Sequence, residues 1–186
     1  MNFSSVIFDD KNGALTALNE IINAGYTKIA HFAGYSNVSI SRERCLGYKL
    51  ALEKNGIEIY PDWIIEGGFE VEDGYDAFLK LVHTNNLPEI VFTVNDRVAL
   101  GVYQAAKETG LSIPEDFGIV AFGFCETAQT FTIVLSIINQ NPRRIGRVAT
   151  DMLIAEIENK ETAKNNQIII EEEFLWNHSI KRKSVD

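Results

Sequence analysis

Four groups of residues able to do chemistry follow short apolar runs. Behind Ile29–Ala33 come Gly34-Tyr35-Ser36 and then Arg42 and Arg44. Behind Trp63-Ile64-Ile65 come Gly67-Gly68-Phe69-Glu70. Behind Ile90–Val94 come Asn95 and Asp96, and behind Gly118–Phe122 come Gly123-Phe124-Cys125-Glu126. In open parallel sheets, ligands collect at the carboxyl ends of the strands. Arginine, amide, carboxylate and an aromatic ring on one edge suit a small polar ligand, and sugars in particular. Such ligands take paired hydrogen bonds from planar groups and a ring face to stack on.

Each residue also has a plainer reading. Arg44 can form a surface ion pair with Glu43 or Glu53. Phe69 can be a core residue. Asn95 can cap the helix that follows it, with Asp96 complementing that helix's dipole. The shared position at strand ends is what favours a site. Catalysis finds little support, because the GxSxG, HExxH, GxxxxGK[ST] and GxGxxG patterns are all absent. His31 lies inside an apolar strand and reads as a satisfied core histidine. His83 and His178 have no nucleophile linked to them. Asp9-Asp10 has the look of a phosphatase or metal pair, but no second acidic cluster of matching pattern accompanies it.

The elements that must position these residues alternate in type. Val6–Phe8 reads as a strand, and Leu15, Leu18, Ile21 and Ile22 as the face of a helix ended by Ala24-Gly25. A second helix begins near Ser41, with Cys45, Tyr48 and Leu52 on one face and Leu46 and Leu50 flanking; it stops at Asn55-Gly56. Further helices are predicted over Val71–Val82, from Asn95 to Glu108, and from Pro142 to about Asn159. Val134–Ile138, Ile168–Ile170 and Phe174–Trp176 complete the strands, and the polar stretch 159–166 reads as a surface connection. Continuous apolar strands between helices are the mark of an α/β fold with a parallel sheet covered on both faces.

Composition sets the outer limits. The 186 residues are 46% hydrophobic and 23% charged, which excludes disordered and collagen-like chains. Seventeen basic against 26 acidic residues give a net charge of −9, unsuited to a phosphate backbone. Only Lys181-Arg182-Lys183 is locally basic. Cys45 and Cys125 have no CxxC spacing, which argues against a disulfide framework and fits a reducing compartment. No apolar run approaches the roughly 18 residues of a membrane span, and Met1–Val6 lacks the basic start of a signal peptide.

Several segments resemble one family. Phe92-Thr93-Val94-Asn95-Asp96-Arg97-Val98-Ala99-Leu100-Gly101 is similar to the "ANDxxALG" segment of the lactose-repressor (LacI/GalR) family of bacterial transcription regulators, with Val94 in place of the alanine. The stretch from Gly110 to Phe122 is similar to "GxxVPxDxxVVGF", Arg44-Cys45-Leu46-Gly47-Tyr48 to "RxxGY", Gly25–Ala30 to "GHxxIA", and Leu135–Gln140 to "LTTVxQ". They run in the family's order over nearly the whole chain.

The resemblance implies a Rossmann-like lobe of the type I periplasmic-binding-protein kind with a partial second lobe. Residues 1–24 and 142–164 are then expected in the N-terminal lobe, and 25–141 and 165–186 in the C-terminal, effector-binding lobe. The helix-turn-helix head and most of the first lobe are expected before Met1, so DNA would be met only through that absent head. The implied function is that of a cytoplasmic repressor, homodimeric and non-enzymatic, without cofactor or metal. A small-molecule effector, a carbohydrate, would bind between the lobes and shift their arrangement. By matching position, Arg44, Asn95, Phe69 and Asn12 are the implied effector contacts. Gly123 stands where the family carries a sugar-gripping aspartate, and Glu126 is the candidate to replace it. Two alternatives stand beside this reading: a transporter's solute-binding protein of the same fold, and a small α/β enzyme. A partial first lobe also predicts self-association through the faces it leaves open.

Overall fold

The computed structural model describes residues 4–84, 86–158 and 166–183. Six strands form one sheet in the order β3 (Ile64–Glu66), β2 (Ile29–Ala33), β4 (Ile90–Thr93), β5 (Gly118–Gly123), β6 (Ser136–Asn139) and β8 (Glu173–Leu175). All neighbours are parallel except β8, which runs antiparallel to β6. A separate parallel pair joins β1 (Ser5–Phe8) to β7 (Gln167–Ile170).

Strand side chains alternate between two cores, as the two-residue period of a strand requires. Ile29, Ile90, Phe92, Val120, Phe122 and Ile138 face helices α1 (Asp10–Asn23) and α2 (Ser39–Lys54). Ala30, Phe32, Val91, Ile119, Ala121 and Ile137 face α3 (Val71–Val82) and α4 (Asp96–Thr109). Burial on both faces is why these strands read as unbroken apolar runs. Where α3 crosses α4, a Cβ at Gly101 would collide with the Val71 carbonyl and one at Gly74 with that of Val98. Two glycines thus let the helix backbones touch. A short α5 (Cys125–Ala128) follows β5, and α6 (Pro142–Ile157) packs on β1.

The structure corrects the sequence reading in several places. Helix α2 starts at Ser39, and its buried face is Ser41, Arg44, Gly47, Tyr48, Ala51 and Leu52; Leu46 is 43% exposed. The stripe is rotated because α1, rather than the sheet alone, covers α2. Trp63 belongs to a 3-10 turn (Pro61–Trp63) ahead of β3, and β6 starts at Ser136. Of the 159–166 connection, residues 159–165 lie outside the described part.

The expected division at residue 24 does not follow the packing. Ala14, Ala17, Leu18 and Ile21 of α1 are buried in the same core as Tyr48 and Leu52 of α2. Residues 167–170 pair with β1 and stand apart from the large sheet. The apolar stripe of α1 matches α2, which among the described residues leaves β1, β7 and α6 as a smaller unit outside the two cores. The chain crosses between the units three times: after β1, after β6 and after β7.

Candidate functional site

Arg44 stands at the centre of the carboxyl edge of the large sheet. Its side chain is 5% exposed, which overturns the reading as a surface pair with Glu43 or Glu53. Its Nε donates to Asp10 Oδ1 at 2.7 Å, its Nη2 to Gln140 Oε1 at 2.9 Å and its Nη1 to the Val94 carbonyl. The guanidinium carbon lies 3.8 Å from the centre of the Phe122 ring. Burial disfavours its charge, and Asp10 offsets that cost. A guanidinium has five N–H donors, so these contacts leave few for a ligand.

The neighbouring residues continue along the edge. Asn95 caps α4, accepting from the Val98 N–H at 2.8 Å, and its Nδ2 donates to the Phe69 carbonyl at 2.9 Å. The plain capping reading is therefore correct as far as it goes, and the same amide also fixes the loop that carries Phe69. The Phe69 ring is half-buried and stands edge-on to Tyr35, centroids 5.8 Å apart. Glu70 and Asp73 form a capping box at the start of α3, which holds that loop from the other side.

Gly123 closes the row. Its carbonyl accepts from the Gln140 N–H at 2.8 Å. A Cβ at Gly123 would lie 3.2 Å from Asp96 Cβ and 3.3 Å from Asp96 Oδ2. The carboxylate beside Gly123 is thus that of Asp96. Burial raises its pKa, against the pull of nearby backbone N–H groups and of Arg44 and Arg97. Glu126 sits on α5 with its side chain 56% exposed and pairs with Arg143 at 3.1 Å. That ion pair turns it to solvent, so it does not fill in at Gly123. Asn12 is exposed on the first turn of α1, where its Nδ2 donates to Asp9 Oδ2 at 2.8 Å. The edge therefore joins Arg44, Asn95, Phe69 and Gly123, and leaves Glu126 and Asn12 outside the row.

Between the small unit and α2 lies a cleft of about 750 Å³. Phe8 and Ile169 line one side, Ser39 and Arg44 the other, and Asp10 and Gln140 its floor. That volume is in the range of small-molecule sites.

Gln140 of this floor and Glu172 behind it were not among the site residues expected from the sequence, and Asp10, there weighed only as half of an acidic pair, is bound to Arg44. Gln140 Nε2 donates to Glu172 Oε1 at 2.7 Å and to Asp10 Oδ1 at 3.2 Å. Each stands just behind β6, β7 or β1. Their position directly after these three strands is the sequence signal they share with Arg44, Phe69 and Asn95. His31 is only half satisfied. Its Nδ1 meets the Phe92 carbonyl at 3.1 Å, while Nε2 is buried without a partner. Burial lowers its pKa to about 4, so the ring is neutral at pH 7.

Comparison with known proteins fits this geometry. Residues 18–180 match the periplasmic binding protein-like domain family. The HTH-type transcriptional repressor PurR of Haemophilus influenzae (strain PittEE) is 32% identical over 184 residues, covering 97% of this chain and 55% of that protein. The transcription regulator CcpA of Lactococcus lactis has a solved structure with 28% identity and a TM-score of 0.83, over 95% of this chain and 64% of that one. A putative LacI transcriptional regulator from Bacillus cereus subsp. cytotoxis NVH 391-98 gives 26% identity and a TM-score of 0.87, over 95% and 62%. The chain spans about half the length of the curated relatives it matches. Among the described residues no helix is long and apolar enough to cross a membrane. By its match over residues 18–180 the chain belongs to the periplasmic binding protein-like domain family, in the form found in LacI-family transcription regulators.

Proposed function

We propose that this chain is the effector-binding region of a LacI-type repressor, taking a small neutral carbohydrate between its two units. The observation that carries the reading is the cleft between the β1–β7 unit and α2, opening on Arg44 and Gln140 beside the Asn95–Phe69 edge. Arg44 is already neutralised by Asp10, so among the described residues the wall offers no free buried cation for an anionic ligand. The half-buried Asp96 carboxylate accepts hydrogen bonds, which hydroxyl groups can donate. Phe69 supplies the ring face.

On this reading β1, β7 and α6 belong to a first lobe and α1 to α5 with the large sheet to a second. Ligand would favour one lobe arrangement in proportion to its differential affinity. DNA binding, through a separate head in the whole protein, a homodimeric assembly, a cytoplasmic location and the absence of catalysis are part of the proposal. The matched curated relatives are named as repressors, which favours this reading over a transporter's solute-binding protein.

Calorimetric titration of the chain with neutral disaccharides, sugar phosphates and nucleobases tests it. A neutral sugar is expected to bind saturably, and Phe69→Leu to weaken it about tenfold, the loss of roughly 1.4 kcal/mol of stacking. Binding by phosphates or nucleobases alone would replace the carbohydrate assignment. Silence across the panel from a folded chain would remove the effector reading itself.

A further inference from the structure

The three crossings between the units meet in one polar knot, and that knot contains more carboxylates than its single cation can neutralise. Asp9 and Asp10 come from the crossing after β1, Gln140 from that after β6 and Glu172 from that after β7. Arg44 of α2 is the only cation hydrogen-bonded within the knot among the described residues, and it is committed to Asp10. Gln140 presents its amide N–H groups to both Asp10 and Glu172, and its oxygen to Arg44. Glu172 Oε1 is satisfied by this bond, whereas Oε2 is buried and has no partner. On the α1 side Gly13 lies against the carboxyl group, where a Cβ would collide with Oε2, and the like charges of Asp10 and Asp9 face it from the start of the helix. On the α6 side the charged group is Arg144, whose Nη1 donates to the Glu171 carbonyl at 3.4 Å and not to the Glu172 carboxyl.

We propose that Glu172 is a proton-operated latch on the junction between the two units: protonated it holds the crossings together, ionised it loosens them. When Glu172 is ionised, two partly buried carboxylates share one amide and one guanidinium, with Asp9 adding further negative charge. When Glu172 is protonated, one negative charge is removed and the Asp10–Arg44 pair bridged by Gln140 is left with Asp9 as the remaining uncompensated charge. Burial and the neighbouring aspartates raise the Glu172 carboxyl to about 7, against the opposing pull of Gln140 and Arg44. The sign follows from a raised acid. The knotted arrangement holds a proton that an opened one gives up, so its advantage is fullest at low pH and is lost as pH rises through about 7. This property belongs to the chain without any effector, so it stands or falls separately from the carbohydrate reading.

The test is carried out on the chain alone. Carboxyl NMR should show Glu172 titrating close to neutrality. Amide exchange in β1 and β7, corrected for intrinsic rates, should be protected about tenfold more at pH 6 than at pH 8, one pKa unit's worth of coupling. Glu172→Gln, a permanent neutral mimic, should keep the high protection at both pH values. A Glu172 that titrates below about pH 5.5 would overturn the latch. So would β1–β7 protection that stays constant while Glu172 titrates. Both measurements are made on the unsubstituted chain, so the outcome does not depend on the variant folding.

Discussion

Arg44 ties three distant parts of the sequence together, and the residues around it divide into those it holds and those it could present. Asp10 is bound to it with only 14% of its side chain exposed. Removing the cation would leave that carboxylate, and Glu172 beyond it, without a positive partner in a poorly solvated pocket. Arg44→Met should therefore cost about 3 kcal/mol or more, the usual penalty for breaking a buried pair. Asp10→Asn in the same background should recover part of that loss, because the stranded charge is gone. Urea unfolding of the two variants checks this; equal stability of Arg44→Met and the parent would show that the pair contributes nothing net. His31 makes the contrasting case. It is stacked on Phe92 with centroids 4.5 Å apart and is kept neutral by burial, so it acts as an aromatic core residue.

At the scale of elements, the loops that carry the site are fixed by helix starts. Asn95 caps α4 and Asn141 caps α6, while the Glu70–Asp73 capping box fixes the start of α3. Each satisfies backbone N–H groups that a helix leaves open, and each thereby sets the direction of the preceding strand end. The α3–α4 contact needs its two glycines, because a Cβ at Gly101 meets rigid backbone rather than a movable side chain. Gly101→Ala is expected to destabilise by roughly 1–3 kcal/mol from overpacking, outweighing the helix preference of alanine, about 1 kcal/mol. Chemical denaturation decides it, and a stabilised variant would mean that the helices can separate freely.

The whole molecule is unevenly covered. The large sheet has helices on both faces, whereas among the described residues α6 is the helix packed on the β1–β7 pair, and α6 buries none of its own residues. Leu153, Ile154 and Ile157 of α6 are 56%, 48% and 69% exposed, and Ile169 of β7 is 54% exposed. A two-stranded parallel pair with open apolar surface is poorly protected in water. Taken by itself, this 186-residue chain is expected to self-associate reversibly through that face. Sedimentation velocity should show a weight-average coefficient that rises with concentration, and Ile154→Glu with Ile157→Glu should flatten it. A concentration-independent monomer before substitution would contradict the expectation.

Local patterns settled much of this protein in advance. The strands Ile29–Ala33 and Gly118–Phe122, the helix Val71–Val82 and the caps at Asn95 and Gly110 were legible because each depends on neighbours within a few residues: apolar runs, helical spacing, a capping amide, a glycine at positive φ. The family motifs, likewise contiguous, marked Arg44 and Asn95, while Phe69 followed from its matching position between them. Tertiary structure alone decided what Arg44 touches, since Asp10 and Gln140 lie 34 and 96 positions away in the chain. It also moved α1 into the larger core and put Asp96, rather than Glu126, beside Gly123. A buried charge is defined by the partners that replace its water, and those of Arg44 come from two separate crossings and the end of β4, which no local spacing records.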